Sequence, residues 1–176
     1  MRNRLILSGL LIALMAGCAQ HKTPNQLWDE GMAQTKEEHY DQAEETFKEI
    51  LDKESIPDTL RAKTNFTLAD LYLNHFKRYD DAEQKYRMIV EKYPATKWGA
   101  KSQFMIGYMY ANYVNNYEKA KKEYRRFIDL YPTDQLVSAV DFEMNHLGKS
   151  LDDLDFLPSA DSSNGAETAT TGTQVQ

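Results

Sequence analysis

The chain has 176 residues, with 21 Lys or Arg, 27 Asp or Glu and one cysteine, for a net charge of −6. This length suits one domain with appendages, and 41% hydrophobic residues are enough for a packed core. The acidic balance argues against a phosphate-tracking nucleic-acid binder, and a single cysteine excludes both an intramolecular disulfide and a thiolate zinc site.

Residues 1–20 read MRNRLILSGLLIALMAGCAQ. Arg2 and Arg4 make a positive start, and Leu5 to Ala16 is an apolar run interrupted only by Ser8 and Gly9. A bilayer span needs about 20 apolar residues, so this run is short for one. A positive start, a short apolar stretch and small residues at its end describe a secretory signal peptide over residues 1–17. Leu14-Met15-Ala16-Gly17-Cys18 resembles the bacterial lipobox, with Met15 where Leu is more usual. The resemblance implies that Cys18 carries acyl chains and becomes the mature N-terminus, with several chains meeting the condition for stable anchoring. Ala19, in place of an aspartate, implies the periplasmic face of the outer membrane. An ordinary signal peptide followed by an incidental cysteine is the competing reading. Residues 18–23 form a short tether, and cleavage before Cys18 removes two arginines and no acid, leaving a mature net charge of −8.

The next elements come in pairs. Pro24 to Glu37 predicts a helix with Thr23 as N-cap, Gln26 as its capping-box partner and Pro24 at the first helical position. A second helix begins at Tyr40, in the segment Tyr40-Asp41-Gln42-Ala43-Glu44-Glu45-Thr46-Phe47. Thr59 to His75 follows with Asp58 as cap, then Tyr79-Asp80-Asp81-Ala82-Glu83-Gln84-Lys85-Tyr86. Lys97 to Tyr113 follows with Thr96 as cap, then Tyr117-Glu118-Lys119-Ala120-Lys121-Lys122-Glu123-Tyr124. The three second helices superpose with alanines 39 and then 38 residues apart, a period that means stacked supersecondary units. Ala120, Tyr124, Phe127, Ile128 and Tyr131 fall on one face of a 3.6-residue period, and Ala82, Tyr86, Ile89, Val90 and Tyr93 repeat it. Glu44–Lys48, Glu83–Arg87 and Glu118–Lys122 stand at i, i+4 in the favourable order and read as solvated helix faces. Pro94 and Pro132 stop the second and third units.

These units resemble the tetratricopeptide repeat. Gly31, Ala69 and Gly107 match its small residue in the first helix, and Tyr40, Tyr79 and Tyr117 its opening aromatic. Ala43, Ala82 and Ala120 match the alanine at the closest helix approach, and Phe47, Tyr86 and Tyr124 the second aromatic. The period exceeds the family's length, Ser55 stands where the first unit should have its proline, and the small residue precedes the opening aromatic by nine residues in the first unit but ten in the others. The resemblance implies an all-α, right-handed solenoid of three helix hairpins, at about residues 24–57, 58–94 and 95–132, closed by a capping helix over 134–147. Gly148 stands at the left-handed position after that helix, and residues 150–157 (SLDDLDFL) complete a domain of 24–157. Residues 158–176 are rich in Ser, Thr, Ala and Gly, with no aromatic or basic residue, and are expected to be a disordered tail.

No catalytic constellation emerges. The histidines His21, His39, His75 and His146 lack metal-ligand spacing, Gly148-Lys149-Ser150 lacks the upstream glycine of a phosphate loop, and no Gly-x-Ser-x-Gly elbow occurs. The reading is a non-enzymatic chain without cofactor or metal, held at the membrane through Cys18. The resemblance implies a groove lined by first helices that grips an envelope protein or peptide, and Trp28, Tyr72 and Tyr108 are the aromatics assigned to it. The long period and tyrosine-proline endings are similar to those of BamD-like outer-membrane lipoproteins of barrel assembly and of YbgF-type coordinators of the Tol–Pal system. An accessory or enzyme of peptidoglycan or polysaccharide processing is the alternative.

Overall fold

A computed structural model describes residues 22–149. The expected signal segment, Cys18, the 150–157 segment and the tail lie outside the described residues. The described residues are all-helical: α1 (Pro24–Lys36), α2 (Tyr40–Asp52), α3 (Asp58–Leu71), continued by a π-helical turn at Tyr72–Phe76, α4 (Tyr79–Lys92), α5 (Lys97–Asn112), α6 (Tyr117–Leu130) and α7 (Val137–Asn145). The chain divides into two compact units between Pro57 and Asp58.

The first unit is the α1–α2 hairpin. Thr23 caps α1 as expected: its hydroxyl oxygen accepts from the Gln26 amide at 3.3 Å, and the Gln26 side chain accepts from the Thr23 amide at 2.9 Å. Leu27 and Gly31 on α1 face Ala43, Phe47 and Ile50 on α2, and all five are buried. Gly31 is small because Phe47 needs the space, since a Cβ there would lie 2.7 Å from the ring. Burying a Phe or Ile side chain contributes roughly 1.5–3 kcal/mol, so this short apolar stripe holds the hairpin.

In the second unit α4 packs on α3 and α5, and α6 packs on α5 and α7. Ala82, Tyr86 and Ile89 of α4 and Ala120, Tyr124 and Phe127 of α6 are all 0% exposed, as their 3.6-residue spacing requires. Gly107 repeats the role of Gly31, with a hypothetical Cβ 2.5 Å from the Tyr124 ring. Ala69 holds the same place in α3 and is also fully buried. α3 is buried on most sides, and even its Thr64 and Asn65 are enclosed. Thr64 donates to the Leu60 carbonyl at 2.8 Å and Asn65 to that of Arg61 at 2.9 Å, while the Asn65 side-chain oxygen accepts from Lys85 of α4 at 3.3 Å.

The inter-helix turns explain the nine-versus-ten spacing. Each hairpin closes through a non-glycine residue in the left-handed region: Glu38 (φ 62°), Lys77 (φ 56°) and Asn115 (φ 55°). In the first unit the His39 amide donates to the Gln34 carbonyl, five residues back. In the second and third hairpins the Arg78 amide reaches Tyr72 and the Asn116 amide reaches Tyr110, six residues back, each at 2.8 Å. The extra residue is absorbed by widening the last turn of the first helix, which after α3 becomes the π-helical turn. Such turns occur frequently at functional sites.

Three caps and one helix depart from expectation, the first being Asp58, which is the opening residue of α3 rather than its cap. Thr96 has the extended backbone of an N-cap, but its hydroxyl donates back to the Tyr93 carbonyl at 2.8 Å rather than capping α5. Asn116, not singled out in the sequence, caps α6 by accepting from the Lys119 amide at 3.0 Å. α7 starts at Val137 rather than Asp134, because the Asp134 carboxylate takes the Leu136 amide at 2.9 Å and forms a turn in place of the first helical residues. Gly148 does adopt the left-handed conformation, at φ +73°.

Candidate functional site

One face of α5 stays at the surface because its neighbours claim the others. Ser102, Gln103, Ile106, Met109 and Tyr110 are buried, while Lys97, Lys101, Met105, Tyr108 and Asn112 recur on the opposite side and are exposed or half-exposed. The face is aromatic and basic. Lys97 and Lys101 place their Nζ atoms 5.2 and 5.4 Å from the Trp98 ring centroid, and Trp98 leans on Phe66 at 5.0 Å. Tyr108 stacks on Phe104 at 6.0 Å and meets Tyr113 edge-on at 6.2 Å. Tyr113 in turn meets Tyr79 at 6.0 Å and donates to Asn74 Oδ1 at 2.7 Å. The result is a row of rigid rings with hydroxyl tips and two ammonium groups, the residue types that supply contact area at low entropic cost.

Beside this row α3 contributes Asp70, which accepts a hydrogen bond from the Tyr86 hydroxyl. Burial pushes the Asp70 carboxyl up from 3.8 to about 6, against the opposing pull of the Tyr86 hydrogen bond and the Lys101 charge. The folded state therefore holds this proton to higher pH than the unfolded chain. The stability Asp70 provides is full below pH 3.8 and is lost as the pH rises through about 6. Asparagine keeps an oxygen for Tyr86 and has no charge to bury. Asp70→Asn is accordingly expected to stabilise the fold at neutral pH by about 1–3 kcal/mol and to flatten the decline between about pH 4 and 6. Thermal denaturation across that range measures both effects, and a destabilised variant at neutral pH would contradict the assignment.

The expected solvated faces are only partly so. Glu44 and Lys48 do pair, at 2.9 Å, but Glu44 is only 7% exposed. Glu83–Arg87 also forms, and it belongs to a brace that reaches across the second unit. The Arg87 guanidinium holds Glu83 at 2.5 Å and Glu123 of α6 at 2.8 Å. Glu123 also accepts from Gln103 of α5 at 2.9 Å, and Tyr110 donates to Glu83 at 2.5 Å. Burial alone would raise the Glu123 pKa, but hydrogen bonds from Arg87 and Gln103 and the Arg87 charge outweigh it and hold the carboxyl below its ordinary value. Pairing across 36 residues was not visible in i, i+4 spacing, because the Glu123 partner lies in the next hairpin.

The three aromatics assigned to a groove have different fates. Tyr108 is half-exposed on the α5 face. Trp28 is half-buried in the first unit and packs on Phe47 at 5.4 Å. Tyr72 is only 3% exposed and so offers little area to a partner. Tyr72 continues the buried stripe of α3, three residues after Ala69 and seven after Asn65, and its ring sits between Phe76, at 6.2 Å, and the Arg78 guanidinium, at 4.4 Å. Asp70, Trp98, Lys101 and Asn74 were missed in the sequence. Asp70 follows Ala69 as Tyr108 follows Gly107, so the repeat register would have found it.

A family model described as tetratricopeptide repeat matches residues 65–96 and 101–134. Both matches run from within or just after the start of a first helix through the following second helix, and they cover the α3–α4 and α5–α6 pairs. The α3–α4 and α5–α6 pairs are therefore similar to tetratricopeptide repeats, an architecture that generally binds proteins and is not typically catalytic. No curated protein matches the chain.

Proposed function

We propose that this chain is a lipid-anchored protein of the bacterial envelope that uses the α5 face to hold another protein. The aromatic and basic row of Trp98, Lys101, Tyr108 and Tyr113 carries the interaction half of this reading. Its rings are held by their neighbours before any partner arrives, and preorganised aromatics bind at reduced entropic cost. The anchor half rests on the sequence, where the single cysteine stands at the one position the lipobox demands. Among the described residues no helix is long and apolar enough to cross a membrane. An acylated Cys18 on the periplasmic face of the outer membrane then brings the repeats to envelope partners. The role is that of a scaffold in envelope assembly, similar to BamD-like subunits of barrel assembly or to Tol–Pal coordinators.

Metabolic labelling tests the anchor. Cells fed labelled palmitate are expected to label the wild-type protein and to keep it in the membrane fraction. Cys18→Ser is expected to lose the label and to leave that fraction once processed. An unlabelled wild type, or an equally labelled variant, would remove the anchor from the proposal. Photocrosslinking through position 108 in the same cells tests the interaction.

A further inference from the structure

Charge is distributed unevenly along the described chain. Residues 22–57 hold 4 lysines against 10 acids, while residues 58–149 hold 15 Lys or Arg against 12 acids. Two second helices carry opposite excesses, α2 a net −4 and α6 a net +2. On α2, Asp41, Glu45, Glu49 and Asp52 are all exposed and recur at steps of four, four and three residues, so they lie along one side of the helix. Lys48 bridges Glu45 at 3.0 Å and Lys53 bridges Glu49 at 2.9 Å, yet α2 as a whole carries five acids and one lysine. On α6, Lys121, Lys122, Arg125 and Arg126 are exposed as two pairs four residues apart. They line an open cavity of about 710 Å³ together with Arg87 and the acids Glu118, Glu123 and Asp129, so cations outnumber acids there by five to three. The adjoining Arg87 is already engaged with Glu83 and Glu123, so the α6 cations supply the charge that faces outward.

We propose that two copies of this chain associate through the acidic side of α2 on one and the basic side of α6 on the other. The chain supplies both halves of the match. Charges four residues apart on a helix stand about 6 Å apart on either partner, so successive acids of α2 meet successive cations of α6 in register. Each exposed pair is weak, and the association is consequently salt-sensitive and low in affinity. Because two different surfaces meet, the contact either closes reciprocally about a two-fold axis or continues to further copies. It uses neither the α5 face nor the anchor, so it stands apart from the proposed function.

Charge reversal tests the pairing. Full-length protein in detergent solution is followed by sedimentation velocity across concentration, with Lys121→Glu/Arg125→Glu as one variant and Glu45→Lys/Glu49→Lys as the other. The wild type is expected to show a heavier species that grows with concentration. Its association constant is expected to fall at least about tenfold between about 0.1 M and about 1 M salt, where the screening length drops from about 10 to about 3 Å. Each variant alone is expected to remain a single light species, with a helical circular dichroism spectrum like that of the wild type. An equimolar mixture of the two is expected to recover the heavier species, since each then presents the complement of the other. A wild type that stays light at every concentration, variants that associate as the wild type does, or a mixture that fails to recover would each overturn the pairing. The first of these results would leave an acidic partner other than this chain as the occupant of α6.

Discussion

Arg87→Met is expected to destabilise the second unit by about 3 kcal/mol at neutral pH. Removing one partner of a buried ion pair typically costs about 3–5 kcal/mol, because the remaining charge is left without compensation. The lower end applies here, since the Arg87 side chain is 31% exposed and Gln103 still donates to Glu123. The loss should be smaller in the double variant Arg87→Met/Glu123→Leu, which removes both charges of that pair and leaves only Glu83, still bonded by Tyr110, without its guanidinium. The pH dependence separates this account from simple loss of packing. In the wild type, Glu123 has a lowered folded-state pKa, so its stabilisation is present above 4.5 and fades as the pH falls through the lowered value. In Arg87→Met the same carboxylate is a liability, and protonating it relieves the strain, so the deficit should shrink on acidification. Urea denaturation of the three proteins at neutral and acidic pH measures this, and a deficit that is equal at both would contradict it.

Gly107→Leu is expected to cost at least about 3 kcal/mol. The first added carbon already lies 2.5 Å from two carbons of the Tyr124 ring, and that ring is fully buried. Overpacking a filled core costs about 1–3 kcal/mol and occasionally more, and the rest of the leucine must also find room. Helix propensity returns only about 1 kcal/mol to any residue that replaces glycine in a helix. Relief should come from the other side of the contact, so Gly107→Ala/Tyr124→Leu is expected to be less destabilised than the sum of its two single changes. If Gly107→Leu kept the wild-type denaturation midpoint, the facing of the first and second helices would be wrong.

The second helices were legible because one physical rule sets them. A stripe of Ala, aromatic and aliphatic residues at helical spacing has to be buried, and Ala82, Tyr86 and Ile89 are. The small residues at 31 and 107 were legible for the same reason, each leaving room for the ring that faces it. What could not be read depends on the third dimension. The first two inter-helix turns are closed by Glu38 and Lys77, residues that carry no left-handed signature of the kind glycine gives. Tyr72 was assigned to a groove, but α3 is enclosed on most sides and the ring is buried with it. Glu123 looks like any exposed acid among lysines until Arg87 arrives from the preceding hairpin. The α5 face was half legible: Tyr108 was assigned to it, but Trp98, the lysines that ride on it and the carboxyl of Asp70 became part of it only once α3 and α5 were packed together.

The α5 face is proposed as the place where this protein meets its partner. Site-specific photocrosslinking in intact cells tests it most directly, with the photoreactive group placed in turn at Tyr108 on α5 and at Glu91 on the exposed side of α4. The account predicts a discrete adduct of higher mass from position 108 that is much weaker from position 91. Equal adducts from both positions, or an adduct from position 91 alone, would contradict it.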